Sequence, residues 1–364
     1  MASTNTPLQI LLTGATGYIG GTILTQLLAS TSPALKDATI SLLLRGPDRA
    51  AKLTSAYGSR VRPILYKDLD DLEATVAAAS QHDLVINTTL GYHPPSGVAL
   101  VRGLAQRKAA TGRDVWMIHT SGTSNIGDRP VSKAWVEPDH ELDDAADDVY
   151  CYEKDREARE GPYLQRTAEM AVVDAGLALG VKTLAIMSPA IFGLGTGLFN
   201  KTSVQIPAYI RSVLRHGRAV VIGDGDGVWD VVHVQDLAEL YLVVVRRILE
   251  GGGEGVPTGK EGIIFSGNGR HTWNEVAQGA ADACFAEGKI ASPELQSLTL
   301  AEGSKVLAFS FGDFDTEEIT ERAFASNSRT VSTVGRKLGW KPSRGDEAWM
   351  AGIHDDLKFV LGQA

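Results

Sequence analysis

Residues 8–20 read LQILLTGATGYIG: a short apolar run, then glycines at 14, 17 and 20, then the start of an amphipathic segment over 20–28. The run at 8–13 has the length and composition of a buried strand, and the segment after it has helical spacing. A glycine triplet alone is a weak signal; between a strand and a helix it acquires a mechanism. Gly14 permits a tight turn, Gly17 lets backbone amides approach a ligand, and Gly20 lets the helix pack closely on the strand. The helix start adds unpaired N–H donors and the positive end of its dipole. Thr16, Tyr18 and Ile19 complete this loop and helix start. The stretch predicts a site for the pyrophosphate of a dinucleotide.

Working outward, strands are predicted at 39–44 (TISLLL), 61–66, 83–88 (DLVINT), 115–120 (VWMIHT) and 182–187 (KTLAIM). Helices are predicted at 72–79, 98–111 and 163–179. Strands alternating with helices imply right-handed crossovers and a parallel sheet. The expected fold is therefore α/β, a doubly wound parallel Rossmann sheet over 1–190, with a smaller C-terminal α/β substrate domain over 191–364. After Pro189 the element spacing loosens and glycine-rich stretches appear: FGLGTGLF, GDGDG and GGGEG. The helix at 234–249 and the strand at 262–266 are candidates to return to the first domain. The acidic stretch at 137–148 is expected to be a solvated loop.

The 364 residues carry a formal net charge of -9, with 43% hydrophobic and 22% charged residues. An acidic chain without a basic block offers no electrostatic case for nucleic acid. Two isolated cysteines, Cys151 and Cys284, make no disulfide framework and fit reduced thiols in a cytoplasmic protein. The start, MASTNTPLQI, lacks the basic-then-apolar pattern of a signal peptide, and the apolar runs are too short to span a bilayer. No membrane association is expected. The eight histidines show no metal-binding spacing, so no metal is predicted.

The end of the second strand selects the cofactor. A carboxylate there would repel a 2′-phosphate; this chain has Arg45, in LLLRGPDR. A guanidinium pairs with phosphate, so NADP(H) is favoured, with NAD(H) as the alternative. Asp68 and Leu69, in YKDLDD, follow the third strand, where a carboxylate can reach the adenine amino group. Thr88 and Thr89 end the fourth strand and Pro189 follows the strand at 182–187, all at the edge of the cofactor crevice.

These segments, with HTSGTSNIGD, PYLQRTAE, SPAIFG, VWDVVHVQDLAELY and SNSRTVSTVGRKLGWKP, occur in an order that resembles the extended short-chain dehydrogenases/reductases. Within them the chain is similar to the NAD-dependent epimerase/dehydratase group, especially fungal proteins described as nucleoside-diphosphate-sugar epimerase-like. The resemblance implies a Ser or Thr, a Tyr and a Lys, the last two spaced Y-x-x-x-K. In that scheme Tyr shuttles a proton, Lys assists it, and the hydroxyl positions the substrate oxygen. Pro162-Tyr163 fits the tyrosine, yet the residue four on is Thr167. The serine segment reads Thr120-Ser121-Gly122-Thr123, with glycine in the slot, so Ser121 and Thr123 are the nearest hydroxyls. Tyr150 and Lys154 satisfy Y-x-x-x-K literally, but Glu160-Gly161-Pro162 should end any helix that starts at Tyr150. Both tyrosines stay open as the proton carrier.

The resemblance also implies two diphosphate anchors for nucleotide sugars, and Trp229 and Ala190 stand in their places. That argues for a less polar ligand. His93, near the crevice, reads as a structural or surface residue, and His233 and Asp236 as helix-capping residues. The expected activity is an NADP(H)-dependent oxidoreductase acting on a small, fairly apolar carbonyl or alcohol. Tyr163 would move the proton, with Ser121 or Thr123 orienting the substrate. The alternatives are a non-redox epimerase or dehydratase, and a non-catalytic dinucleotide-sensing regulator.

Overall fold

Strand β1 (Ile10–Thr13) buries all four of its residues, as a strand covered on both faces must. It begins a regular alternation in this computed structural model, which describes residues 7–307 and 317–362. The leader reading therefore rests on a stretch whose first six residues lie outside the described ones. The alternation continues with α1 (Tyr18–Ala29), β2 (Ile40–Leu44), α2 (Pro47–Tyr57), β3 (Val61–Leu65), α3 (Leu72–Ala79), β4 (Leu84–Asn87), α4 (Pro94–Thr111) and β5 (Trp116–Gly122). After a long connection holding the two-residue β6 (Leu142–Asp143) come α5 (Val149–Glu160), α6 (Leu164–Leu179) and β7 (Lys182–Ser188).

The next segment contains β8 (Ala190–Phe192), α7 (Gln205–His216), β9 (Val220–Ile222), β10 (Val228–His233), α8 (Val234–Gly251) and β11 (Ile263–Phe265). The last contains β12 (Arg270–Thr272), α9 (Trp273–Ala286), β13 (Gln296–Leu298), α10 (Leu300–Leu307), α11 (Glu317–Phe324), β14 (Thr330–Val331), α12 (Thr333–Lys337) and α13 (Asp346–Val360).

The central sheet has seven strands in the order β3-β2-β1-β4-β5-β7-β11, with every neighbouring pair parallel. This is a Rossmann-type α/β fold. Strand order reverses between β1 and β4, which opens a crevice beyond their carboxyl ends. Strand β11 pairs with β7 at the sheet edge, and α8 packs against α1. A separate cluster of buried side chains, including Phe192, Trp229, Trp273, Phe324 and Trp349, lies among β8–β10, α7, α9, α11 and α13. Sheet β12-β10-β8 and the pair β13-β9 support it.

The acidic stretch at 137–148 is not wholly solvated. Leu142 and Asp144 are buried, and β6 pairs with β14. The Asp144 carboxylate accepts the amides of Phe265 (2.8 Å), Thr333 (2.8 Å) and Val334 (2.9 Å). It thereby joins the edge of β11 to the start of α12, and that demand for an acceptor explains its burial. Cys151 is exposed, Cys284 is buried, and both are free. No helix among the described residues is long and apolar enough to cross a membrane.

Candidate active site

The glycine loop is built by two different pressures. Gly14 has φ +75°, and a Cβ there would lie 2.5 Å from the Thr88 carbonyl oxygen. A Cβ on Gly20 would lie 2.3 Å from the Gly14 carbonyl oxygen and from Thr88 Oγ1. Thr88 is itself fixed by donating to the Thr13 carbonyl at 2.7 Å. Those two glycines are required by the protein's own packing. Gly17 is different: a Cβ there would meet only the Gly14 oxygen, at 3.2 Å. Helix α1 starts at Gly17 without any side-chain cap, which leaves its first-turn amides open. Free space and uncapped donors at this turn fit a pyrophosphate. Thr16 and Ile19 are half-buried here. The buried Tyr18 hydroxyl turns away and donates to the Gly193 carbonyl, so the residue faces the crevice with its backbone.

Arg45 projects from the end of β2, exposed and without an ion pair among the described residues. Asp68 accepts the Asp70 amide at 3.0 Å, and the Asp70 carboxylate accepts from His93 Nε2 at 3.1 Å. His93 Nδ1 accepts the Ser96 amide and caps α4, so it braces two loops. Leu69 is half-buried in the same turn and Pro189 is buried between β7 and β8. Beneath the loop, Thr13 and Thr89 both donate to Asn87 Oδ1 at 2.7 Å, and Asn87 Nδ2 reaches His119 Nδ1 at 3.0 Å. Burial pushes the His119 imidazole down to about 4, which keeps it neutral.

Tyr163 is the N-cap residue of α6 and is 9% exposed. Its hydroxyl donates to Ser124 Oγ at 3.1 Å and lies 3.2 Å from the Tyr92 hydroxyl. With the Tyr163 proton directed to Ser124, Tyr92 is the donor in that second contact. Ser124 donates onward to Gln165 Oε1 at 2.5 Å. The Arg322 guanidinium, reaching from α11, lies 4.5 Å from the centre of the Tyr163 ring. Burial, then the neighbouring Tyr163, raise the pKa of Tyr92 far above the ordinary phenol value. Around this point Leu90 is 58% exposed, Leu164 52% and Tyr92 38%, which forms an apolar rim.

The expected hydroxyls are placed elsewhere. Ser121 is buried and accepts from Asn125 Nδ2 at 3.2 Å, and Asn125 also donates to Glu169 at 3.1 Å. Thr123 is fully buried, and its hydroxyl has no partner among the described residues. Neither is hydrogen-bonded to Tyr163; Ser124 is. The rival pair is bonded elsewhere. The Tyr150 hydroxyl donates to Asp174 Oδ1 at 2.5 Å and Lys154 Nζ to Asp174 Oδ2 at 2.6 Å. Helix α5 ends at Glu160 and Gly161 turns with φ +92°, so Tyr150 and Tyr163 sit on separate helices. Thr167, in the expected lysine position, donates to Glu157.

Sequence reasoning missed Ser124, Tyr92, Gln165 and Arg322. Ser124 and Gln165 lie in HTSGTSNIGD and PYLQRTAE, and Ser124 could have been weighed as a third hydroxyl; that these residues meet one another, Tyr92 and Arg322 depends on long-range packing. On the substrate side, Trp229 donates to Ser326 Oγ at 2.8 Å and packs against Trp273, as a core residue does. Ala190 opens β8. His233 Nδ1 accepts the Gln235 amide, and Asp236 accepts the amides of Ser343 and Arg344.

A sequence profile of the NAD dependent epimerase/dehydratase family matches residues 133–256. The chain is 32% identical over 346 residues to "Oxidase ucsJ" of an Acremonium species, covering 92% of each. Its fold is similar to the dTDP-glucose 4,6-dehydratase DesIV of Streptomyces venezuelae, solved with NAD bound, at TM-score 0.64 and 15% identity. That match covers 98% of this chain and 97% of the other. It is likewise similar to the UDP-glucose 4-epimerase of Thermus thermophilus in complex with NAD, at TM-score 0.57 and 18% identity, covering 98% and 100%.

Proposed function

The chain belongs to the NAD-dependent epimerase/dehydratase family of extended short-chain dehydrogenases/reductases, and from that premise we propose that it is an NADP(H)-dependent oxidoreductase acting on a small, fairly apolar carbonyl or alcohol. The observation that carries this reading is the Tyr163 hydroxyl, hydrogen-bonded to Ser124 and Tyr92 and flanked by the Arg322 guanidinium. The dinucleotide, when bound, supplies or accepts the hydride. The open amides of α1 would hold its pyrophosphate, and Arg45, exposed and without an ion pair among the described residues, would be available to a 2′-phosphate.

In reduction, Tyr163 gives its proton to the substrate oxygen as carbon gains the hydride. The Tyr92 hydroxyl, part of a 38% exposed residue, relays a proton back to Tyr163, passing on its own as it takes one from solvent water. Arg322, itself paired with Glu160 and Glu318, packs its guanidinium on the ring and holds the phenol in place. The exposed Leu90 and Leu164 favour an apolar substrate body, and the packed Trp229 leaves no cation at the implied diphosphate anchor. A second reading, a dinucleotide-sensing regulator, is favoured by one observation: Thr167 is bonded to Glu157 and brings no lysine to Tyr163.

Nicotinamide absorbance with purified protein and a panel of carbonyls separates the readings. Net NADPH consumption is the expected result. Product change without net consumption would support the epimerase or dehydratase alternative, and binding without turnover the regulator.

A further inference from the structure

Glycine stands where the family pattern places a hydroxyl, and the structure shows what fills the space. A Cβ on Gly122 would lie 2.9 Å from Gln165 Nε2, 3.1 Å from Oε1 and 3.3 Å from Cδ. A Cβ on Gly91, in the loop after β4, would lie 3.5 Å from the same Nε2. The Gln165 amide thus occupies the notch between the ends of β4 and β5, where a side chain at position 122 would project. We propose that Gln165 replaces the missing hydroxyl, its Nε2 donating to the substrate's carbonyl or alcohol oxygen beside Tyr163.

Three features support the assignment, which rests on the Tyr163 reading. The Ser124 hydroxyl donates to Gln165 Oε1, so the amide is oriented with its –NH2 directed away from Ser124. That –NH2 has no partner among the described residues, and Gln165 is only half-buried, so its two hydrogens are free for a ligand oxygen. Ser124 also accepts from Tyr163, so one hydroxyl fixes both the amide and the phenol. A carboxamide is a better-anchored donor than a rotating hydroxyl, because Ser124 locks its plane. The substitution also explains Gly122 without invoking lost function: any larger residue would press on the amide.

The test uses the full chain with NADPH, and benzaldehyde and 2-heptanone as probes. Gln165→Ala should lower kcat at least about tenfold, as loss of an oxyanion-type donor does, with NADPH affinity unchanged. Gln165→Glu, which keeps the shape and removes the donor, should lose as much. Gly122→Ser combined with Gln165→Ala should recover most of the loss, because serine can then enter the vacated notch. A residue that merely fills space would shift thermal stability in Gln165→Ala while leaving kcat intact in Gln165→Glu. Unchanged kcat in both single variants overturns the assignment, as does failure of the serine double variant to recover. If the wild-type protein oxidises no NADPH with either probe, the oxidoreductase reading fails, and calorimetric binding of benzaldehyde to the NADP+-loaded protein decides the role of Gln165. Binding weakened several-fold by Gln165→Glu supports the role; equal binding, or none to the wild-type protein, overturns it.

Discussion

Tyr150 and Tyr163 lie thirteen positions apart and differ in opposite ways. Tyr150 has the sequence spelling of a short-chain dehydrogenase site, with Lys154 four residues on, but both side chains are bonded to Asp174. Tyr163 lacks the lysine, but its hydroxyl sits among Ser124, Tyr92 and the Arg322 guanidinium. The spacing Y-x-x-x-K ensures only that two side chains share a helix face. Which way that face looks is set by where the helix begins. The positive φ of Gly161, followed by Pro162, ends α5 and lets α6 start beside the end of β5.

The most drastic way to break this contrast is to remove the ligand that would give either tyrosine a partner. Gly17→Val should abolish dinucleotide binding while leaving the fold largely intact, since a Cβ there presses only on the Gly14 oxygen. Calorimetry with NADPH and circular dichroism of the same sample check both halves. Retained affinity in a folded variant would displace the crevice from this loop. A milder change sharpens the cofactor end: Arg45→Asp should cost about 1.5–3 kcal/mol of NADPH affinity and little of NADH affinity, the range for a charged hydrogen bond. An unchanged preference would remove Arg45 from the account.

The two helices can also be separated by pH. Glu169 on α6 and Glu153 on α5 are fully buried against each other, and burial raises both carboxyls, Glu169 from 4.5 to about 7. The folded state therefore holds a proton that the unfolded chain releases. The resulting stability is fully present below about pH 4.5 and is lost as pH rises through about 7. Glu169→Gln, which mimics the protonated acid, should gain on the wild-type protein across that window by an amount on the order of 1–3 kcal/mol. Denaturant titrations at pH 4.5 and 8 measure it; a pH-independent difference would contradict a shared proton between α5 and α6. The smallest effect belongs to Lys154→Ala. Its pair with Asp174 is nearly half exposed on both sides, so stability should fall by less than about 1 kcal/mol, and turnover should stay within a few-fold.

Much of the frame was legible because the signals were strong and local. The helix at 72–79 and the alternating buried strands follow from apolar periodicity, and the glycine loop from its position between β1 and α1. Helix α2 escaped because PDRAAKLTSAY is polar overall and only Leu53 of its eleven residues is buried. The segment at 137–148 misled because its charge suggested solvent, whereas Asp144 satisfies buried amides far away in the chain. The tyrosine site was half legible. Pro162 and the helix start pointed to Tyr163, but Ser124 meets it across 39 positions and Arg322 reaches it from α11. No local pattern encodes those meetings.

The central claim is that geometry at Tyr163, rather than spelling at Tyr150, carries proton transfer. Initial rates of NADPH oxidation across a carbonyl panel, measured side by side for the wild-type protein, Tyr163→Phe and Tyr150→Phe, test it most directly. Tyr163→Phe should lose at least about 10²-fold in kcat, the lower range for general acid–base catalysis, with NADPH affinity unchanged, and Tyr150→Phe should stay within a few-fold of wild type. A Tyr163→Phe protein as active as wild type, or a Tyr150→Phe protein that has lost its turnover, would contradict the account.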